Sequence, residues 1–290
     1  MRLLPCLAVL VLATTCEIQA AETLIARVSQ TVAPLFEAAK PAFAKSHPDV
    51  TISVTGCPTP TSIKMVASGE AAVGAIVREL KPDEKTANPE LIATPFARDG
   101  VALVVNAANP IESLSRDQVV ALITGSATTW LAVGGGAGDI AVIGRTETNA
   151  INEFIEQKFG LEHRAQGEGK DISLSFKVKG AADYAALKIP VVGSHKDAVA
   201  QVVLKPGAWS YVPLGLALAA AKRGQPVKVV ALDGVKPDAT SINGGTYLLA
   251  RTLFLLTKGQ PAGAAKDLCD FILAPEGQAL AADNGFVLIH

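Results

Sequence analysis

The run Val101-Ala-Leu-Val-Val105 narrows the folds open to this chain more than any other stretch. It is apolar, rich in β-branched residues and short enough for a buried strand. Asp99-Gly100 supplies a turn signal before it, and residues 106–110 (NAANP) break the strand after it. A separate alternation of strand and helix patterns lies on either side. The stretch 94–110 therefore reads as a crossing strand between two α/β blocks.

The first block opens with a strand at residues 24–28 and a helix that Val32-Ala-Pro34 starts and that runs to about Lys45. Proline suits a first helical turn, and Leu35, Ala38, Ala39, Ala42 and Phe43 form one apolar face. A strand at 50–54, a Gly/Pro/Thr-rich loop at 55–61, a helix at 62–68 and a strand at 71–77 follow. This order predicts a parallel sheet. After the crossing come a helix at 115–123, a strand at 140–144, a polar loop from Arg145 to Asn149 and a helix ending near Phe159. Residues 166–171 read as a polar turn, and 191–192 as a short strand. Helices at 196–203 and 215–221 flank a strand at 209–213, read as a second hinge strand, and 227–232 is a further strand. From Asn243 the pattern changes to a strand at 252–257 and a helix at 262–273, as expected of a chain returning to its first block. The expected architecture is α/β and two-lobed, each lobe a mostly parallel sheet flanked by helices, joined by a two-strand hinge. Residues 22–105 plus 243–290 form the first lobe and 106–242 the second.

Of 290 residues, 49% are apolar and 18% charged, which excludes a disordered chain. The formal net charge of -1 leaves no basic footprint for nucleic acid, and no such partner is expected. A local anion site stays open, because backbone N–H groups bind anions without net positive charge. Residues 1–20 read as an export signal: Arg2, an apolar run at 3–13, and Ile18-Gln-Ala20 before the cut. The run is too short to span a bilayer, and Cys16 leaves lipid anchoring as the alternative. The mature chain keeps Cys57 and Cys269, as a bridge between its two ends or as separate thiols.

The polar residues of interest gather at strand ends, where open parallel sheets place ligands. Ser29, Thr31, Thr59, Ser62 and Thr148 each offer a hydroxyl donor. Ser62 and Thr148 or Asn149 stand at helix starts, where free N–H groups and the dipole favour an anion. Plain N-capping is the competing reading of such residues. Arg145 offers a planar fork to a tetrahedral oxyanion, or lies on the surface. Asp99, at the entrance to the hinge, joins the candidate set, and with Glu147 it could form a carboxylate pair. Trp209 and Tyr211 serve as a ligand platform or as packing. His47, His163, His195 and His290 lack metal-ligand spacing, and no nucleophile elbow or phosphate loop occurs. A catalytic role and a cofactor are not expected.

Several segments, in order, resemble the periplasmic phosphate-binding proteins of ABC importers. Val28-Ser-Gln-Thr-Val-Ala-Pro34 is similar to the family's first loop, and His47-Pro-Asp-Val50 to the entry of its second strand. Ala72-Val-Gly74 with Arg78-Glu-Leu-Lys81, Asp99-Gly-Val-Ala-Leu-Val-Val-Asn106, and Ile140-Ala-Val-Ile-Gly-Arg145 continue the likeness, and Ala274-Pro-Glu-Gly-Gln278 ends it. The resemblance implies a monomeric periplasmic receptor that closes two lobes on phosphate or a phosphate-like anion and delivers it to a membrane ABC importer permease. Ligand contacts then map onto Ser29, Gln30 and Thr31 in the first loop and Thr59 in the second. Cys57, Pro58 and Pro60 stand in that second loop, and prolines remove N–H donors. Val77 stands near the place where the family carries a proton-accepting aspartate, and Thr-Glu-Thr-Asn-Ala150 follows Arg145. These departures keep open a sensor or interaction protein on the same fold.

Overall fold

The structure, a computed structural model, describes residues 22–146 and 149–289. The expected export signal, Glu147, Thr148 and His290 lie outside the described residues. The first block builds β1 (Glu22–Ser29), α1 (Ala33–Ser46), β2 (Val50–Cys57), α2 (Thr59–Ser68), β3 (Val73–Ile76) and α3 (Pro82–Ala87). Pairing explains why β2 runs past the expected end at Val54. It lies parallel to β1 as far as Ser29 opposite Cys57, so the sheet recruits half of the predicted loop. The rest of that loop joins α2, whose first turn accommodates Pro60. Gly69 ends α2 at φ 82°, a left-handed position that favours glycine.

The crossing strand is longer than its apolar run. β4 (Leu91–Asn106) continues through β5 (Ser113–Leu114), α4 (Arg116–Thr124), β6 (Ala141–Arg145) and α5 (Ala150–Phe159). A hairpin of β7 (Leu161–Gln166) and β8 (Ser173–Val178) replaces the turn-only reading of that region. The chain then forms β9 (Ile189–Val192), α6 (His195–Leu204), β10 (Ala208–Pro213), α7 (Leu214–Lys222), β11 (Val227–Leu232) and α8 (Ala239–Asn243). It returns through β12 (Ala250–Lys258), α9 (Gly263–Leu273), α10 (Pro275–Asp283) and β13 (Val287–Leu288).

The main strand order is β2-β1-β3-β12-β4-β10-β6-β9-β8-β7. The sheet is mixed. It is parallel across β2-β1-β3 and β10-β6-β9, where helices carry the chain back, and antiparallel around β4. β4 is the shared spine: Leu91–Gly100 pair with β12, whereas Val101–Val105 pair with β10. Two lobes result. One buried cluster draws its residues from 101–249, and the others from 24–97 and 253–286. Val101–Val105 thus pack in the second core, just beyond the crossing.

The second crossing differs from the sequence reading. β10, with Trp209 and Tyr211, lies wholly in the second core and holds both rings at zero exposure as packing. The chain returns instead at Tyr247–Ala250, where the Val101 N–H donates to the Leu249 carbonyl at 2.9 Å and the Tyr247 hydroxyl to the Val101 carbonyl at 2.8 Å. Beside it, a Cβ on Gly215 would stand 2.3 Å from the Asn284 carbonyl oxygen, so only glycine permits this approach of α7 to the turn before β13.

At the same level Asp99 and Arg251 are cross-strand partners. Arg251 donates to Asp99 Oδ2 from Nε at 3.0 Å and from Nη2 at 2.7 Å, with side-chain exposures of 3% and 0%. Removing one partner strands a buried charge. Arg251→Met should therefore lower the unfolding free energy by about 3–5 kcal/mol in urea titration. The double variant D99L/R251M should recover most of that loss.

Candidate ligand-binding cleft

The parallel strands β1, β2 and β6 end at one level, and the helices that follow them begin there. Ser29, Gln30 and Thr31 leave β1 for α1, and Cys57 and Pro58 leave β2 for α2. Thr146, Asn149 and Ala150 join β6 to α5, and His195 opens α6. These nine residues line one cavity of about 20 Å³ between the lobes. Room on that scale holds about one water-sized group, so a larger occupant requires the lobes to part. The N-termini of α1, α2, α5 and α6 lie at the cavity, and their helix dipoles give it positive potential.

The side chains on its wall are committed in a common direction. Ser29 Oγ accepts the Thr31 N–H at 3.4 Å, and Thr31 Oγ1 accepts from Arg251 Nη2 at 3.3 Å. Gln30 Oε1 accepts from Arg145 Nη2 at 3.5 Å, and Asn149 Oδ1 accepts the Ile151 N–H at 3.1 Å. Each of these oxygens already accepts one hydrogen bond from the protein. Two hydroxyl protons and two amide NH2 groups are left over, and all are donors.

Behind this layer lies Arg145, with zero exposure. Its guanidinium donates to the carbonyls of Val192 and, at 3.0 Å, Gly193, while its Nε has no partner. Among the described residues no carboxylate makes an ion pair with it; Asp197 acts on it only through its field. Burial pulls the guanidinium below its ordinary value, but an arginine stays charged at neutral pH. Asp99 is not on the cavity wall. Burial pushes its carboxyl up, and the Arg251 guanidinium opposes that shift. Its Oδ1 has no partner of good geometry, although the N–H groups of Gly100 and Leu214 favour its charged form.

The structure thus gathers Ser29, Gln30, Thr31 and Asn149 on the wall and sets Arg145 immediately behind it. Thr59 is fully buried at the start of α2, off the wall, with Oγ1 unpartnered. Ser62 Oγ donates to the Arg27 carbonyl at 2.6 Å and so fastens α2 to β1. Thr148 and Glu147 fall outside the described residues. Cys57 and Cys269 are free and buried, one at the end of β2 and the other inside α9. Burial raises both thiols, that of Cys269 to about 11.

His195 is the wall residue that sequence reasoning passed over. Its exposure is 9%, and Nδ1 is buried without a partner. Burial lowers its pKa to about 3, helped by the charges of Arg145 and Arg251. A capping box, Ser194 with Asp197, marks the helix start that places it. That spacing was readable in the sequence.

Other contacts bridge the lobes near the cleft. Glu153 on α5 lies 3.5 Å from Arg78 Nε and also pairs with Lys81, both from the first lobe. The Arg251 guanidinium stands 5.6 Å from the Phe154 ring.

Two α/β lobes around a cleft ringed by helix N-termini define a bilobal binding-protein fold. The chain belongs to the PBP superfamily, whose domain model matches residues 14–276. It is 24% identical to the phosphate-binding protein PstS of Bacillus subtilis, over 89% of this chain and 78% of that protein. An ABC-type phosphate transport receptor from Vibrio cholerae superposes with a TM-score of 0.72 at 24% identity, covering 92% of this chain and all of that one. A substrate-binding protein from Clostridium perfringens, solved with bound phosphate, gives 0.76 at 22% identity over 93% of this chain and all of that one.

The buried neutral imidazole fixes a pH dependence. An unfolded histidine titrates near 6.5, and the folded His195 near 3. Between those values the unfolded chain binds more protons, so stability is fully present above pH 6.5 and declines as pH falls. Between pH 7 and pH 4.5 this residue should remove about 2–3 kcal/mol. His195→Gln should lose that component of the slope, read as the difference between two urea titration series.

Proposed function

We propose that this protein is an extracytoplasmic receptor that captures phosphate, or a phosphate-like oxyanion, for an ABC importer. The observation that carries the reading is the polarity of the cleft. Its committed side chains present donors, and behind them lies the buried Arg145 charge with no carboxylate partner among the described residues. An oxyanion supplies both the acceptors and the negative charge that such a site lacks. The relatives named as phosphate-binding proteins support the same ligand class.

In this reading Ser29, Gln30, Thr31 and Asn149 bind the oxygens directly. Arg145 holds Gln30 and supplies long-range charge. The lobes comprise residues 22–100 with 250–289, and 101–249, and they turn about the two crossings. The first twenty residues direct export to the periplasm, and the receptor binds and releases its ligand as a monomer without transforming it. Delivery is to a separate membrane permease, and among the described residues no helix is long and apolar enough to cross a membrane.

A second reading has its own observation. Cys57 and Pro58 occupy the wall of a very small cavity, as a fold retained for sensing or assembly would permit. Calorimetry with phosphate, sulfate and small organic acids separates the two, because a receptor binds one of them and a protein with a degenerate site binds none at millimolar concentration. Ser29→Ala removes a single donor, worth about 1.5–3 kcal/mol toward a charged ligand. Phosphate affinity should fall at least tenfold, with thermal unfolding of the free protein nearly unchanged.

A further inference from the structure

We propose that His195 takes up a proton when the cleft closes on an oxyanion, so that its imidazolium becomes one of the groups that hold the ligand. The inference rests on the reading of the cleft as an anion site. The ring forms part of the cavity wall, and its Nδ1 is buried with no partner in the protein. Ser29, Gln30, Thr31 and Asn149 each accept a hydrogen bond from the protein through their oxygens and keep a hydroxyl proton or an NH2 group to donate. His195 is the wall group whose free ring nitrogen can take up a proton once a negative charge stands beside it.

The surrounding charges favour the neutral ring in the free protein. Arg145 on β6 and Arg251 on β12 both act against a positive charge there. Asp99 on β4 spends its charge on Arg251. Asp197, on α6 itself, accepts the Ser194 N–H and hydroxyl hydrogen bonds at the helix cap. The N-terminus of α6 adds positive potential. Cys57 at the end of β2 and Tyr211 on β10 are both shifted upward by burial, so neither provides a compensating anion near neutral pH. An oxyanion brings up to two negative charges into the same space and reverses the field at the ring. The proton comes from bulk solvent and ends on the ring nitrogen that lacked one. The ligand's bonds are unchanged.

The test is calorimetry with inorganic phosphate at pH 6, in two buffers of different ionisation enthalpy, on the wild type and His195→Gln. The ligand's own ionisation is common to both proteins. Wild type should take up close to one proton more per phosphate than the variant. Its affinity relative to the variant should rise by up to about tenfold for each unit fall in pH. Equal proton counts overturn the proposal. Nitrogen-15 spectra of the wild-type ring avoid any folding defect in the variant. The ring should be neutral from pH 5 to 7 without phosphate and charged at pH 6 in saturating phosphate. A ring that stays neutral in the complex overturns the proposal. Phosphate binding without proton uptake removes this inference alone, whereas no phosphate binding by the wild type removes the anion reading and this inference with it.

Discussion

The ion pair of Asp99 with Arg251 joins the fold to the cleft. It sits in the ladder where β4 changes partners, between one core that ends at Ala97 and another that begins at Val101. Arg251 also donates to Thr31 on the cavity wall. One guanidinium therefore ties the crossing strand to the first-lobe loop, and its position along β12 sets the reach to Thr31. A buried pair of this kind adds little net stability, because desolvation offsets most of its attraction. What it fixes is register. Any slip of β12 against β4 would bury two separate charges, at a cost the lobe could not absorb.

Charge compensation continues one layer further. Arg251 is matched by Asp99, whereas Arg145 is bound by carbonyls and by Gln30. Carbonyl dipoles solvate a guanidinium without cancelling its charge, so the positive field of Arg145 reaches the cavity through Gln30. The Gln30 and Thr31 oxygens that accept from Arg145 and Arg251 leave an NH2 group and a hydroxyl proton on the same side chains to donate to a ligand. Ligand class follows from which atoms are already spent, even though no arginine lies on the wall itself.

Much of this was legible in the sequence, and most of what was not depends on partners distant in the chain. Strands with apolar runs and helices with an apolar face were readable: the reading put α1 near its observed ends, and Ser29, Gln30 and Thr31 at the end of β1. The β7–β8 hairpin was not, because LEHRAQ has no apolar alternation and forms through its partner strand. α3 buries none of its residues and left no periodicity to find. Ser62 and Asp99 were polar residues at the expected positions, but their partners, the Arg27 carbonyl and Arg251, are far away in the chain. A hydroxyl or carboxylate at a strand end reveals its chemistry to sequence reasoning, while its prior commitments appear only in three dimensions. His195 was missed for the opposite reason. Metal-ligand spacing is the wrong test for it, because its importance comes from a buried Nδ1 without a partner among the described residues.

The prolines of the second loop bear on the same accounting. Pro58 and Pro60 remove two N–H groups from the start of α2, and Thr59 is fully buried there and is not part of the cavity lining. The first lobe has thus given up donors on one side of the cavity. The second lobe faces that gap with the Asn149 amide and the His195 ring, each at a helix start. Donors carried by the second lobe reach a ligand only when the lobes come together, so binding strength in such a cleft depends on closure more than on the first encounter. Glu153, reaching Arg78 and Lys81 across the same gap, pulls the lobes together even without a ligand. Its partners are partly solvent-exposed, which keeps that pull small enough for the cleft to reopen.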